Sequence, residues 1–308
     1  MPENIQLTPQ MFAPVTEKSM TGEEITRPPV SYWQDVWMRL KKNRLAMSGL
    51  VIIALLAFMA IFGPYMSGHT YYDQDLLRIN QPPGSQYWFG TDNLGRDLFT
   101  RVWYGARISL SIGLLTSIIC LVIGVLYGGI SGYLGGRVDE IMMRLVEVLY
   151  SIPFLLYVIL LMVLMEPGLK AIFIALGLVY WLNMARIVRG QVLALKEQEY
   201  VLAARLLGAG TWRILLRHLI PNTMGPIIVT MTLLVPEAIF TEAFLSFLGL
   251  GVSAPMASWG VLASEGLQGL RNYPWQLFFP AFFISLTMLA FNFLGDGLRD
   301  ALDPRLRR

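Results

Sequence analysis

Residues 108–136 read ISLSIGLLTSIICLVIGVLYGGISGYLGG, a run without a single Asp, Glu, Lys or Arg. About 20 apolar residues, each rising about 1.5 Å, are enough for a helix to cross a hydrocarbon core of about 30 Å. In lipid, a helix bonds its own backbone polar groups, whereas strands would have to close into a barrel. The run therefore predicts a transmembrane helix.

Five further candidate spans are free of these four residue types, at 45–72, 148–165, 171–185, 219–236 and 272–295. Together with the first run they predict an all-α membrane protein with six transmembrane helices. The run at 171–185 is short. We expect it to extend as far as Arg186, whose long side chain can reach the interface.

The composition excludes several classes of protein. Hydrophobic residues make up 55% and charged residues 15% of the 308 positions, against about 25% charged in soluble domains. Cys120 is the one cysteine and no Asn-x-Ser/Thr site occurs, which argues against a disulfide-stapled or glycosylated secreted domain. With only two histidines and scattered basic residues, neither a histidine metal centre nor nucleic-acid binding is expected.

The distribution of basic residues orients the six helices. An even number of spans places both termini on one side, and 18 of the 24 Lys and Arg residues fall on that side. Cytoplasmic loops carry the excess of Lys and Arg, so both termini are expected in the cytoplasm. The predicted divisions are a cytoplasmic tail (1–44), a first transmembrane helix (45–66), an extracytoplasmic loop (67–105), a five-helix core (106–298) and a cytoplasmic tail (299–308).

The end of the first tail has its own pattern. Residues 1–30 are polar, and we expect a cytoplasmic tail there instead of a signal peptide. Trp33, Val36, Trp37 and Leu40 then recur at helical spacing among basic residues. This pattern predicts a helix on the inner membrane surface, and the alternative is a simple anchor for the first span.

Several kinds of chemistry are not supported. No glycine is followed by lysine, so the chain lacks the Walker A loop that holds ATP phosphates. Ser131 lies in a Gly-Ile-Ser-Gly sequence like that of intramembrane proteases, but His69 and His218 fall on opposite sides of the membrane, and we favour close helix packing there. Asp92 and Asp97 could contact a cation, although turn formation is the preferred interpretation.

Polar residues within the apolar runs are candidates for a transport pathway. A charge at the bilayer centre costs about 2.5–3.5 kcal/mol on insertion scales, so such residues usually serve a pathway or a buried partner. Glu237 and Glu242 lie five positions apart, about 140° around a helix, and cannot both face one stripe. We name Glu237, Glu242 and Asn183 as pathway candidates, with a structural role as the alternative for each carboxylate.

The connection at residues 186–223 is long, predicted to be cytoplasmic, and patterned as helix. Glu197 or Glu199 favours a helix start, and Gly208 with Gly210 favours a stop before a second helix. Apolar side chains in this connection would be costly to leave in water, so either the membrane surface or a second protein is expected to cover them. They are Tyr200, Val201, Leu207 and Trp212.

This connection resembles the EAA loop of ABC-importer permeases, whose pattern is Glu-Ala-Ala, three residues, Gly, nine residues, Ile-x-Leu-Pro. Ala203, Ala204, Gly208 and Pro221 coincide with that pattern. Three positions depart from it: Leu202 replaces Glu, His218 replaces Ile, and Ile220 replaces Leu. The first departure removes a charged contact, although Glu199 is close by.

Other segments resemble the C-type permease subunit of oligopeptide and dipeptide importers. They are residues 89–99, 185–191, 246–251 and 292–304. The resemblance runs from about residue 31 to residue 308. It implies the type I importer permease fold in a bacterial inner (plasma) membrane.

The resemblance also implies partners. In such importers a second homologous permease completes the pathway, two ATPase subunits bind ATP and Mg, and an extracytoplasmic binding protein delivers peptide. No cofactor is then expected in this chain. The EAA helix would be the ATPase-coupling element, with its candidate residues being Glu199, Ala203, Ala204, Gly208, Arg213 and Pro221.

Two alternative functions remain open from the residues alone. An ion-coupled secondary transporter would use Glu237 or Glu242 to bind the coupling ion. A non-transporting membrane scaffold would use the cytoplasmic helices only to recruit a partner. The cargo is also open among dipeptides, longer oligopeptides, glutathione and nickel chelates.

Overall fold

The computed structural model describes residues 31–165 and 168–303. The predicted tail at 1–30 and the last five residues, 304–308, lie outside the described residues. Within the described ranges helices are joined by turns, with one isolated β-bridge between Thr91 and Asp97. The α-helices are α1 Tyr32–Lys42, α2 Arg44–Phe62, α3 Leu98–Leu134, α4 Gly136–Ser151, α5 Phe154–Met165, α6 Leu169–Val179, α7 Trp181–Leu195, α8 Glu199–Leu206, α9 Thr211–Ile214, α10 Ile220–Asn222, α11 Met224–Phe247, α12 Trp259–Gln268 and α13 Trp275–Leu302.

Five helical stretches in the described ranges are long and apolar enough to cross a membrane: Arg44–Tyr65, Leu98–Leu134, Leu169–Leu195, Met224–Phe247 and Trp275–Leu302. A sixth span exists only if α4 and α5 are taken as one bent element, because their axes differ by 80°. The predicted span at 148–165 thus covers the end of α4, the bend and α5 instead of one continuous helix. Ile152 and Pro153 separate α4 from α5, and proline disfavours helical backbone at the residue before it.

The predicted spans also differ in length from the helices. The run at 219–236 ends where Glu237 begins, but α11 continues through Pro236, Glu237 and Glu242 to Phe247. The prediction placed this end wrongly because it treated each carboxylate as a boundary. Conversely, the run at 45–72 is longer than the first membrane-crossing helix, α2. This helix ends at Phe62 and is followed by a short 3₁₀ turn, Gly63–Tyr65.

Helices α3 and α7 pack closely along a row of glycines. Gly124, Gly128 and Gly132 form a stripe along α3, one helical turn apart. A Cβ atom added at Gly128 would lie 2.2 Å from the carbonyl oxygen of Ala185, and one at Gly132 would lie 2.9 Å from that of Arg189. Only hydrogen at these positions lets the two backbones approach so closely.

Helix α1, the end of α13 and the start of α11 share one hydrophobic cluster. Val36 and Leu40 of α1 are buried there against Ala301 and Leu302. The end of α3 and helix α8 lie at the same side of the bundle, because Tyr133 and Val201 share a hydrophobic cluster with Ile227 at the start of α11. We call this the terminal side, and the opposite one, with residues 63–97 and α12, the far side.

Candidate functional site

The segment from α8 to α10 forms an elbow at the terminal side of the bundle. After α8 the chain turns at residues 207–210, and α9 continues through a π-helical segment, Leu215–Leu219, into α10. Val201 of α8 is fully buried in one cluster with Ile214, Leu215 and Leu219. The expectation that Val201 would need a partner to cover it was therefore wrong, because the bundle itself covers it.

The opposite face of α8 is apolar and exposed. Leu206 is 89% exposed and Leu207 is 88% exposed, while Trp212 of α9 is 58% exposed. Leu202 and Leu206 have the spacing of one helix face, and Leu207 follows them directly at the end of α8. We call Leu202, Leu206, Leu207 and Trp212 the elbow surface. The sequence reasoning missed Leu206, although its position four residues after Leu202 was the signal.

The predicted coupling residues surround this surface. Glu199 and Ala203 are exposed on the same face of α8, and Ala204 is half-buried. Arg213 and Pro221 are also exposed, on α9 and α10. Glu199 lies in the first turn of α8, where a carboxylate interacts favourably with the helix dipole. The structure therefore places four of the six residues on the outside of one elbow, with Ala204 half-buried and Gly208 at its turn.

Gly208 ends α8 through its backbone conformation. Its φ angle is +81°, its N–H donates to the carbonyl of Arg205, and the N–H of Ala209 donates to the carbonyl of Ala204, both at 3.0 Å. These two bonds form a Schellman motif, in which glycine is favoured. No neighbouring atom lies within 4 Å of an added Cβ, so within this chain the requirement for glycine is conformational and not steric.

The pathway candidates separate into exposed and buried residues. Asn183 on α7 and Glu237 on α11 are exposed on the surface of the chain. One turn beyond Glu237, the hydroxyl groups of Thr241 and Tyr180 lie 2.6 Å apart, which links α11 to the junction of α6 and α7. Glu237 and Asn183 are therefore open to a partner, a pathway or lipid.

Glu242 is completely buried. Its Oε1 accepts hydrogen bonds from the hydroxyls of Ser246 (2.7 Å) and Ser258 (2.5 Å), and its Oε2 accepts one from Ser109 at 3.3 Å. Ser109 in turn accepts from the N–H of Trp259 at 3.1 Å. This network ties α3, α11 and the start of α12 together, which supports the structural alternative for this carboxylate.

A cluster of charged side chains joins the far-side loop to α12. Arg96 binds Asp92 at 2.7 Å and Glu265 at 3.4 Å. Arg101 binds Glu265 at 2.9 Å and also binds Asp92. Asp92, Arg96 and Arg101 are buried.

The predicted turn role of Asp92 and Asp97 is visible in the same region. Asp92 accepts from the N–H groups of Leu94 (2.9 Å) and Arg96 (3.0 Å), and Asp97 caps α3 by accepting from Thr100 N at 3.0 Å. Among the described residues no group of three or more His, Cys, Asp or Glu could hold a metal ion. Turn formation is thus the supported interpretation for both aspartates.

These features define an all-helical membrane protein with an apolar elbow held out from one side. Comparison with known families specifies the class further. Residues 121–308 match the family of binding-protein-dependent transport system inner membrane components, and residues 31–83 match the N-terminal transmembrane domain of oligopeptide transport permease C. The chain belongs to this family of ABC-transporter permeases.

Individual relatives match nearly the full chain. The dipeptide transport system permease protein DppC of Bacillus subtilis is 60% identical over 98% of this chain and 95% of its own length. The oligopeptide transport system permease protein OppC of the same organism is 57% identical over 97% and 98%. OppC of Escherichia coli K12 is 48% identical over 90% and 92%. The chain is accordingly a permease subunit and not an enzyme.

The fold is also similar to that of a solved transporter. An inward-facing structure of the MetNI methionine ABC transporter matches 65% of this chain and 94% of its own chain, with a TM-score of 0.53 and 19% sequence identity. This similarity shows the type I ABC importer fold. A permease of this class works together with ATPase subunits and another permease chain.

Proposed function

We propose that this chain forms half of the translocation pathway of an ATP-driven peptide importer. Relatives at 60% and 57% identity over nearly the whole length are named dipeptide and oligopeptide transport permeases. This similarity favours a peptide importer over an ion-coupled carrier or a scaffold. The remaining subunits would be a second homologous permease, two ATPases that bind ATP and Mg, and an extracytoplasmic peptide-binding protein.

In this proposal the terminal side faces the cytoplasm of a bacterial cell. The excess of Lys and Arg in the segments assigned to that side supports this orientation. Both termini and the elbow then lie in the cytoplasm, where ATP is available. Residues 63–97 and α12 lie outside, where a binding protein would deliver peptide.

The observation that carries the proposal is the elbow surface. Leu206 and Leu207 are almost completely exposed, although α8 is fixed to the bundle by the buried Val201. Exposed apolar side chains on a rigid support are typical of a protein-binding surface. We assign this surface to an ATPase subunit, so that ATP-driven movement of that subunit displaces α8.

The contacts behind the elbow favour transmission of that displacement. Helix α7 reaches α8 through only three residues, 196–198. Helix α7 is in turn packed on the glycine stripe of α3, where a Cβ at Gly128 would overlap the backbone at Ala185. A close-packed helix pair moves as a unit because packed cores do not deform continuously.

The pathway is assigned to the exposed polar residues of the bundle. Glu237 and Asn183 lie on surfaces that this chain leaves open, where a second permease could enclose them. Glu237 would attract the amino terminus of a peptide, and Asn183 could bond to peptide backbone. Binding of backbone and termini suits a carrier that accepts many side chains.

Reconstitution of the chain with its second permease, both ATPases and binding protein tests the proposal. Labelled di-, tri- and pentapeptides are offered to proteoliposomes with ATP enclosed on the ATPase side. Peptide accumulation that requires ATP and the binding protein is the expected result. Uptake that follows a proton or sodium gradient without ATP, or ATPase binding without any uptake, would contradict it in favour of one of the two alternatives.

A further inference from the structure

Helix α1 is held at the boundary of the first transmembrane helix. Only Asn43 separates it from α2. The side-chain Oδ1 of Asn43 accepts hydrogen bonds from the N–H groups of Leu45 and Ala46, both at 3.1 Å, and thereby caps the start of α2. The last turn of α1 therefore lies within a few residues of an apolar helix that enters the membrane.

The inner face of α1 is already occupied by the bundle. Val36 and Leu40 are buried against Ala46, Ala301 and Leu302. Gly297 of α13 permits this packing, because an added Cβ would lie 2.2 Å from the Cβ of Ala46 and 3.3 Å from Leu40. Helix α1 cannot roll about its axis without losing these contacts, so its outward residues are fixed.

The outward residues combine indole rings with positive charge. Trp33 is 53% exposed and Trp37 is 43% exposed. The ammonium group of Lys41 lies 5.1 Å from the ring centroid of Trp37. Positions 33, 37 and 41 fall within about 80° of arc on a helix, so the three side chains form one stripe.

Further basic side chains lie at the end of the stripe. Lys42 and Arg44 are both exposed. Arg39 is paired with Asp35 at 3.0 Å, whereas no carboxylate partner for Lys41, Lys42 or Arg44 is found among the residues that the structure describes. Three positive charges thus lie beside the membrane boundary without a direct ion pair to the described part of the chain.

We propose that α1 binds anionic lipid headgroups. Indole rings are favoured at the headgroup level of a bilayer, and basic side chains near the surface attract anionic lipids. Trp33 and Trp37 would lie at the headgroup level, with Lys41, Lys42 and Arg44 contacting lipid phosphates. The charges and the adjoining membrane helix favour lipid over a protein partner. The inference does not depend on what the transporter carries.

Tryptophan quenching by brominated lipids tests this inference on the assembled transporter in nanodiscs. Brominated phosphatidylglycerol or brominated phosphatidylcholine is included at the same low mole fraction. Because the chain contains eight tryptophans, the signal of α1 is the difference between the wild type and a Trp33→Phe, Trp37→Phe variant. We expect brominated phosphatidylglycerol to quench this difference signal more strongly than brominated phosphatidylcholine does, because the anionic lipid would be enriched around α1.

A charge-matched pair of variants identifies the side chains responsible. Lys41→Gln with Lys42→Gln should lower the preference for phosphatidylglycerol by about fivefold for each charge. Arg137→Gln with Arg144→Gln, which removes two exposed charges from α4, should leave it unchanged. The preference of the wild type should also fall at high salt, because exposed charges are screened.

Three results would overturn the inference. Equal quenching by both lipids would show that α1 lies at the membrane without selecting charge. The absence of quenching by either lipid would show that water or protein covers Trp33 and Trp37. Equal loss of preference in both charge-matched variants would assign the effect to overall charge instead of α1.

Discussion

Arg189 on α7 and Asp139 on α4 form a bidentate ion pair. Its Nε lies 2.5 Å from Oδ1 and its Nη2 lies 2.6 Å from Oδ2. The hydroxyl of Ser131, at the end of α3, donates to the same carboxylate at 2.5 Å. These bonds join the end of α3 and the start of α4 to the middle of α7, the helix that leads into α8.

Replacement of Arg189 should show how much the bidentate geometry contributes to the stability of the protein. Arg189→Ala is expected to destabilise the protein by about 1–3 kcal/mol, because Asp139 loses its charged donors while remaining mostly buried. The stability of Arg189→Lys should lie between those of the wild type and Arg189→Ala, since lysine keeps the positive charge but cannot form the two parallel hydrogen bonds. Thermal unfolding in detergent measures both. Equal stability of the Lys variant and the wild type would contradict the role of the bidentate geometry.

Charges placed on the elbow surface should uncouple the transporter. We expect Leu206→Glu with Leu207→Glu to keep the fold, because both side chains are exposed. Retention of ATPase subunits on the tagged permease should fall at least about tenfold, since burial of a leucine contributes about 1.5–3 kcal/mol. The control is Leu77→Glu, which alters an even more exposed leucine on the far side. If the double variant retains the ATPase subunits as well as the wild type does, the elbow surface is not the ATPase contact.

Gly208 should be sensitive to backbone conformation more than to side-chain size. Gly208→Ala forces a Cβ into a left-handed backbone, at a cost of about 1 kcal/mol, whereas Asn tolerates this region better. We therefore expect ATP-driven uptake to fall in the order Gly, Asn, Ala. Gly210→Ala is the control, because Gly210 has an ordinary φ of −68° and no atom lies within 4 Å of an added Cβ. An equal loss at both glycines would indicate a steric requirement at the partner instead.

Glu242 should matter as a hydrogen-bond acceptor. Glu242→Leu leaves the hydroxyls of Ser109, Ser246 and Ser258 without their acceptor in a buried site, and each unsatisfied group costs about 1–3 kcal/mol. Glu242→Gln keeps one carbonyl oxygen as an acceptor and should destabilise the protein less than Glu242→Leu does. Glu237→Gln, at an exposed position, should change stability by less than about 0.5 kcal/mol. Thermal unfolding compares the three variants, and similar values for Leu and Gln would refute the network.

The glycine stripe gives a direct test of the α3–α7 contact. Gly128→Ala is expected to destabilise by about 1–3 kcal/mol, because the new methyl group overlaps the carbonyl of Ala185. Gly190→Ala, at an exposed position of α7 with no atom near the added Cβ, should be neutral or slightly stabilising. A neutral Gly128→Ala variant would mean that the two helices are less closely packed than described.

Local sequence patterns predicted the helices and the elbow because both depend on neighbouring residues. The apolar runs identified the membrane-crossing segments, and Gly208 with Gly210 marked the end of α8 correctly. The same reasoning ended the fifth span at Glu237. The helix in fact continues past the exposed Glu237 and tolerates Glu242 because hydroxyl groups satisfy it, among them that of Ser109, 133 positions away in sequence. A charge-free run cannot show either circumstance.

Long-range contacts explain the other differences as well. The turn at Asp92 follows from its own sequence, but its pairing with Arg101 depends on how α3 begins, and the approach of Glu265 depends on α12. Val201 was expected to be covered by the membrane surface or a second protein. Its burial within this chain requires Ile214, Leu215 and Leu219, which return to it only after the turn at Gly208. Which side chains are buried depends on how the helices pack against each other, and local sequence patterns do not contain that information.

The far-side cluster of Asp92, Arg96, Arg101 and Glu265 forms a closed four-membered circuit of alternating sign, in which each arginine touches both acids. Such a circuit is redundant: if either acid is lost, both arginines still keep one carboxylate. The cluster reaches α12 through Glu265, which both arginines bind, so the connection between the loop and α12 survives the loss of one arginine. An external protein pressing on the loop or on α12 would therefore push against both together.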